Sequence, residues 1–247
     1  MSGSNPPVIH RVGALDLVVE PFAWRFAETR RDDIAAYFAE KRRERPAMWN
    51  GRVLLGRKPF FSDGRFSASY FETDFASFLA WRDWGFPDAG FPDAAVFNGF
   101  GMGALLCADG AFVLGEMGGH TSNAGRIYFP SGTPDLDDIR GGTVDISGSV
   151  VRELEEETGL APGEYDIDPD WHCVYTGPAV AMIRLLRVDM PGEALRERIV
   201  ANLASQRDPE LSAIHVVRNA RDFSPAMPRF VTMFLETQFS QKSGLSG

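Results

Sequence analysis

The residues best placed to do chemistry are Arg152-Glu153-Leu154-Glu155-Glu156-Glu157-Thr158-Gly159-Leu160. On a helix, side chains three and four positions apart share a face. At 3.6 residues per turn Glu153, Glu156 and Glu157 fall within a sector of about 100°. Val151, Leu154 and Thr158 fall on another sector, one that can face a core. Like charges one turn apart destabilise a helix by a few tenths of a kcal/mol. Glu156 and Glu157 also sit near the helix C-terminus, where the macrodipole disfavours anions. Only Arg152 reaches back to Glu155 or Glu156. A hard divalent cation with oxygen ligands compensates such crowding. The competing reading is a solvated acidic face, the commoner fate of a charge run. Gly159 suits the left-handed residue that ends a helix, and Ser147 or Ser149 suits its N-cap.

The nine-residue string resembles the Arg-Glu-apolar-X-Glu-Glu-X-Gly-apolar end of the Nudix box and matches every specified position. The front of the box departs from the pattern. Counting back from Arg152 places Val144 where a glutamate belongs and Asp138 where a glycine belongs; Asp145 is one position late. Gly132, in FPSGTPD, looks like the leading glycine with six extra residues after it, so PSGTPDLDDIRGGTVDISGS reads as a remodelled loop.

The resemblance implies an α/β fold, an α/β/α sandwich with a mixed sheet, in which Glu153, Glu156 and Glu157 hold Mg²⁺ or Mn²⁺ against a substrate diphosphate. Arg152 would brace a carboxylate by a charge-assisted hydrogen bond, and Leu154 and Leu160 would pack. Asp145 would replace the missing glutamate, reaching the metal through water; a turn or capping Asp is the equal alternative. The implied reaction is hydrolysis of the diphosphate bond in a nucleoside diphosphate linked to another moiety, giving a nucleoside monophosphate and phosphoryl-X. The Trp49-Asn-Gly and Ala68-Ser-Tyr-Phe-Glu-Thr-Asp-Phe segments ahead of the first hairpin look like Nudix hydrolases of nucleotide sugars. Glu210, in RDPEL, is the candidate general base, with a plain surface acid as its alternative. Gly132, His120, Tyr128 and Phe129 are the candidate substrate-side positions, and Phe97 and Phe100 are further aromatics near the box. A second reading is a catalytically impaired Nudix-fold nucleotide-binding or regulatory module, motivated by the missing box glutamate. A third, an acidic structural helix, requires the string to be coincidence. The resemblance also allows a homodimer, with the N-terminal unit contributing to its surface or to a substrate lid.

These residues need a scaffold. VGALDLVVEPF (12–22) reads as a strand after a loose tail at 1–11. Thr29 caps an amphipathic helix carrying Ile34, Ala35, Tyr37 and Phe38. A short strand follows Asn50-Gly51, and FETDFASFLAWRDWG reads as a second helix closed by Gly85. The Pro/Gly/Asp-rich stretch 86–101 suggests a boundary, giving an N-terminal αβ subdomain at 1–92 and the larger unit at 93–247. There GALLCADGAFVLGEM is a hairpin. A Gly/Asp-rich loop leads to the glutamate helix. A strand at 181–190, a helix with Leu195, Ile199, Val200 and Leu203 on one stripe, the strand LSAIHVVRNA and a last helix complete the chain.

Composition excludes several classes. The net charge of −9 argues against a nucleic-acid groove, which needs a basic surplus. No apolar run reaches the roughly 20 residues of a membrane span. The start MSGSNPPVIHR lacks a basic and an apolar region, so no secretory signal and a cytoplasmic location are expected. Cys107 and Cys173 lie far apart and read as two buried thiols. The four histidines lack zinc spacing, and Gly99-Phe-Gly101-Met-Gly103 precedes a strand, the wrong context for a dinucleotide loop. Asp135-Leu-Asp137-Asp138 fails the EF-hand order.

Overall fold

The run Val96–Cys107 is buried along nearly its whole length, as a strand covered on both faces must be. It is the axis of the computed structural model, which describes residues 7–87 and 96–244. The chain begins β1 (Val8–Val12), β2 (Ala14–Val19), α1 (Arg25–Thr29), α2 (Arg31–Glu44), β3 (Arg52–Ser62), β4 (Arg65–Asp74) and α3 (Phe75–Asp83). It continues with β5 (Val96–Cys107), β6 (Phe112–Met117) and the short strands β7 (Ile127–Tyr128), β8 (Ser131–Gly132), β9 (Ile139–Arg140) and β10 (Thr143–Val144). The last third is α4 (Ile146–Thr158), β11 (Asp166–Tyr175), β12 (Ala179–Val188), α5 (Gly192–Leu203), β13 (Leu211–Val217) and α6 (Arg229–Gly244).

The sheet is mixed. One path runs β1-β11-β12-β5-β3-β4-β2-β10-β9, and β6 branches from β5 to pair with β13 and β7. β5 pairs parallel with β12 and antiparallel with β3, β6 and β8. Side chains alternate between sheet faces, and β5 uses both. Phe100 meets Phe230 of α6 edge-on, whereas a Cβ at Gly101 would press on Ile146 and Val150 of α4. Helices therefore cover both faces, the α/β/α layering expected. The main core joins these layers. A second, aromatic core, including Trp24, Phe26, Phe71 and Trp81, packs α1–α3 over β3 and β4.

Several sequence expectations need correction. Residues 8–11 are not tail but belong to β1, paired antiparallel with β11; that pairing is tertiary and leaves no local signature. Thr29 does not cap α2. It ends α1, its hydroxyl donating to the Arg25 carbonyl at 2.6 Å, and Arg30 takes the N-cap without a side-chain bond. The second helix starts at Phe75, because Phe71–Asp74 complete β4 and Asp74 accepts the Ser77 amide at 2.9 Å. β4 and β11 escaped the reading as strands. The expected boundary at 92/93 lies outside the described residues. β1 and β2 pair with β11 and β10, so the first segment shares its sheet with the later one. Cys107 and Cys173 are both buried. Among the described residues no helix is long and apolar enough to cross a membrane.

Gly101 lies opposite Gly132 in the β5–β8 ladder, so both glycines face α4. A Cβ at Gly101 would stand 2.6 Å from Val150 Cγ2 and 2.7 Å from Ile146 Cγ2. Both neighbours are β-branched and stiff. Gly101→Ala is expected to destabilise the protein by about 1–3 kcal/mol through overpacking. A urea midpoint unchanged within error would contradict this close docking of α4.

Candidate active site

Ile146, Val150 and Leu154 form the apolar stripe that seats α4 on the sheet. Asp145 is its N-cap, accepting the Gly148 amide at 2.9 Å, and Gly159 closes it in the left-handed region at φ 73°. Asp145 thus serves as the capping Asp. Eight residues at 1.5 Å each separate it from Glu153, about 12 Å along the axis. Ser147 instead accepts from Arg184 Nη1 at 2.5 Å.

The three glutamates sweep from inside to outside. Glu157 is 4% exposed, Glu153 sits at the rim and Glu156 faces solvent in a shallow groove with Asp145, Arg152 and Glu155. The even presentation of three carboxylates expected from the helical wheel is therefore replaced by a gradient. Both Glu157 carboxylate oxygens lack a hydrogen-bond partner. Burial pushes its carboxyl well above the ordinary range, and the charges of Glu153, Glu210 and Glu156 push the same way. The Ser131 amide opposes this without reaching hydrogen-bonding geometry. Burial also raises Glu153 to about 7, with Glu156, Glu210 and Asp138 adding to the rise and Arg152 opposing it. Glu210, exposed on the loop before β13, is thus close enough for its charge to be felt by both Glu153 and Glu157.

Arg152 forks between two carboxylates, donating from Nη1 to Glu153 and from Nη2 to Asp138, each at 2.9 Å. Burial works against its charged form, but Asp138, Glu153 and Glu156 outweigh that and raise its pKa. Asp138 is 3% exposed and ends the short 3₁₀ turn Leu136–Asp138. The sequence marked it only as the residue where a glycine belongs and as part of a run that fails the EF-hand order; a partner 14 residues away has no local signal. Gly132 lies against Glu153: a Cβ there would stand 2.4 Å from Oε1. Its role here is to admit the carboxylate.

Tyr128 is buried, accepts from Asn123 Nδ2 at 3.1 Å and feels the charges of Glu157 and Glu210. His120 is exposed, and its ring, like the Glu210 carbonyl, lies against Gly118. Phe129 is a correction: it is fully buried, edge-on to Phe112 and Phe234, with no face left for a base. Phe97 and Phe100 are likewise core.

A hard divalent cation fits the donor chemistry. The donors are carboxylate oxygens, two of them buried and unpartnered, in a cluster whose mutual repulsion a cation relieves. Among the described residues no three acidic, His or Cys side chains already stand in a ligating group. Glu153 is instead turned to Arg152.

No known family profile and no curated protein matches the chain. Similar solved structures include a Nudix hydrolase from M. smegmatis, RenU, at 12% identity and TM-score 0.40, over 62% of this chain and 91% of that one. A C. elegans Ap4A hydrolase is similar at 13% identity and TM-score 0.39, over 60% and 98%. The Nudix domain of Shewanella oneidensis NrtR, solved with ADP ribose, is similar at 14% identity and TM-score 0.39, over 59% and 88%. At these values the chemistry of the site rests on this chain's own residues.

The raised carboxyls set a stability profile. An acid whose folded pKa exceeds its unfolded value holds its proton more tightly when folded, so stability is lost as pH rises between the two. For Glu153 that window runs from 4.5 to about 7. His172, whose pKa burial lowers, acts in the opposite sense, so the comparison is with Glu153→Gln. In chelator, wild type is expected to lose on the order of 3 kcal/mol relative to that variant across the window. Parallel urea-derived profiles for the two proteins would contradict the assigned burial.

Proposed function

We propose that the chain is a metal-dependent pyrophosphohydrolase of the Nudix type, cleaving a nucleoside diphosphate linked to a second moiety. The observation that carries this reading is Glu157, a buried carboxylate with two unpartnered oxygens among three further acidic groups. Burying a charge without a partner is costly, and a surface helix has no need to point a glutamate inward. Glu157, Glu153 and Glu156 are the groups to hold Mg²⁺ or Mn²⁺. A cation held by them would supply neutralisation of the charge that builds on a diphosphate during its hydrolysis.

The chain's own residues do the rest. Glu157 and Glu153, whose burial favours the neutral form, would give up any proton they hold on becoming ligands. Arg152, fixed by Asp138, holds Glu153 in reserve at the rim. Glu210, on a loop and exposed, accepts the proton of the attacking water. Gly132 leaves the carboxylate room. His120, whose ring lies against Gly118 beside the Glu210 carbonyl, and Tyr128, which feels the Glu210 charge, are the proposed substrate-side groups. Phosphorus is attacked in line and the other phosphate leaves. Residues 93–247 carry these groups, and residues 1–92 form the supporting unit. The substrate is a small nucleotide, and the proposed location is the cytoplasm. The Val144 position favours the second reading, a nucleotide-binding module, and the same experiment separates the two.

The test is incubation with nucleoside diphosphate sugars, ADP-ribose, dinucleoside polyphosphates and CoA, with and without Mg²⁺, followed by assay of released monophosphate. Turnover that is lost in chelator and falls at least 100-fold in Glu157→Gln and Glu156→Gln is expected. Ligand binding without turnover would establish the module; turnover indifferent to chelator and to both variants would falsify the metal assignment.

A further inference from the structure

The loop from Gly118 to Arg126 reads GGHTSNAGR and contains no large apolar side chain. Burial cannot order it, so hydrogen bonds must offset the entropy lost on fixing it. Some are internal. Thr121 donates to the Gly118 carbonyl from its amide and its hydroxyl, and Arg126 donates to the Asn123 carbonyl. Three come from arginines outside the loop. Arg45, just past α2, donates to the Thr121 carbonyl at 2.8 Å. Arg82, near the end of α3, donates from Nη1 to Asn123 Oδ1 at 3.0 Å and from Nη2 to the Ser122 carbonyl at 3.4 Å.

Arg82 is itself held. Its Nε donates to Asp83 at 2.9 Å, and Asp83 also accepts from Tyr37 of α2. A guanidinium only donates, so it commits the Asn123 amide oxygen and turns the Asn123 nitrogen to the Tyr128 hydroxyl at 3.1 Å. The tyrosine oxygen is then occupied as an acceptor and its proton is left for another group. The charges it feels are those of Glu157, Glu210 and Arg82 itself. The same loop fixes Glu210, because the Gly118 amide donates to the Glu210 carbonyl at 2.7 Å.

We infer that Arg82 is a positioning residue for the active site. Through Asn123 it sets Tyr128 against Glu157 and Glu210, and together with Arg45 it clamps the loop that anchors Glu210. The N-terminal helices thereby govern the site without placing a side chain in it. The catalytic half of this inference rests on the pyrophosphohydrolase reading; the clamp does not.

Two measurements keep the two apart. Hydrogen exchange needs no substrate. Arg82→Gln is expected to speed exchange of the 118–126 amides at least tenfold while the α4 amides keep their protection. Steady-state kinetics on a diphosphate that wild type hydrolyses is expected to show kcat down at least tenfold, with KM within threefold. Arg82→Lys should recover part of that loss. Asn123→Ala should match Arg82→Gln, and the double variant should be no slower than either, because both break one chain of contacts. Unchanged exchange in 118–126 overturns the clamp, whether or not wild type turns over any substrate. Faster exchange with unchanged kcat, or losses that multiply in the double variant, overturns the positioning role.

Discussion

A carboxyl group that is 4% exposed and has no hydrogen-bond partner is the constraint around which the candidate-site side of this molecule is arranged. Ionised, Glu157 would bear the desolvation cost of a buried charge. Protonated, it leaves a polar group unmatched. Neither state is comfortable without a cation, and the neighbouring acids Glu153, Glu156 and Glu210 deepen the problem rather than relieve it. A cluster of perturbed acids of this kind marks a functional-site candidate with a physical rationale.

The fold keeps Glu157 in that position by close packing. The glycine pair Gly101 and Gly132 lets α4 lie near β5 and β8, so the helix cannot roll to bring Glu157 into solvent without lifting Val150 and Leu154 from the core. Asp138 and Arg152 act as a brace on the other flank. Asp138 is buried and Arg152 straddles it and Glu153, which stores one potential ligand beside its counter-ion. At the proposed cation site, binding would exchange that ion pair for coordination.

The string Arg152–Leu160 was legible because its chemistry is local: one helix, one spacing, one closing glycine. The hairpin of β5 and β6 and the helices α4, α5 and α6 were legible for the same reason, since each carries its own period and turn residues. Glu157's inward orientation was not, because a helical wheel ranks sectors but cannot say where the buried arc ends. Asp138 and Arg82 reach Arg152 and Asn123 across 14 and 41 residues, and β1 finds β11 from Val12 to Trp171 and beyond. Such partnerships exist only once the sheet has assembled. Asp145 shows the converse: of the two roles its sequence position left open, metal ligand through water or capping Asp, its backbone position makes it the cap of α4.

The most direct measurement is a Mn²⁺ titration followed by electron paramagnetic resonance, at a pH above 7, on wild type, Glu157→Gln and Asp145→Asn. The account predicts bound Mn²⁺ in wild type, affinity weakened at least tenfold by Glu157→Gln, and binding retained in Asp145→Asn. Equal affinity in wild type and Glu157→Gln, or no bound Mn²⁺ in any of the three, would contradict it.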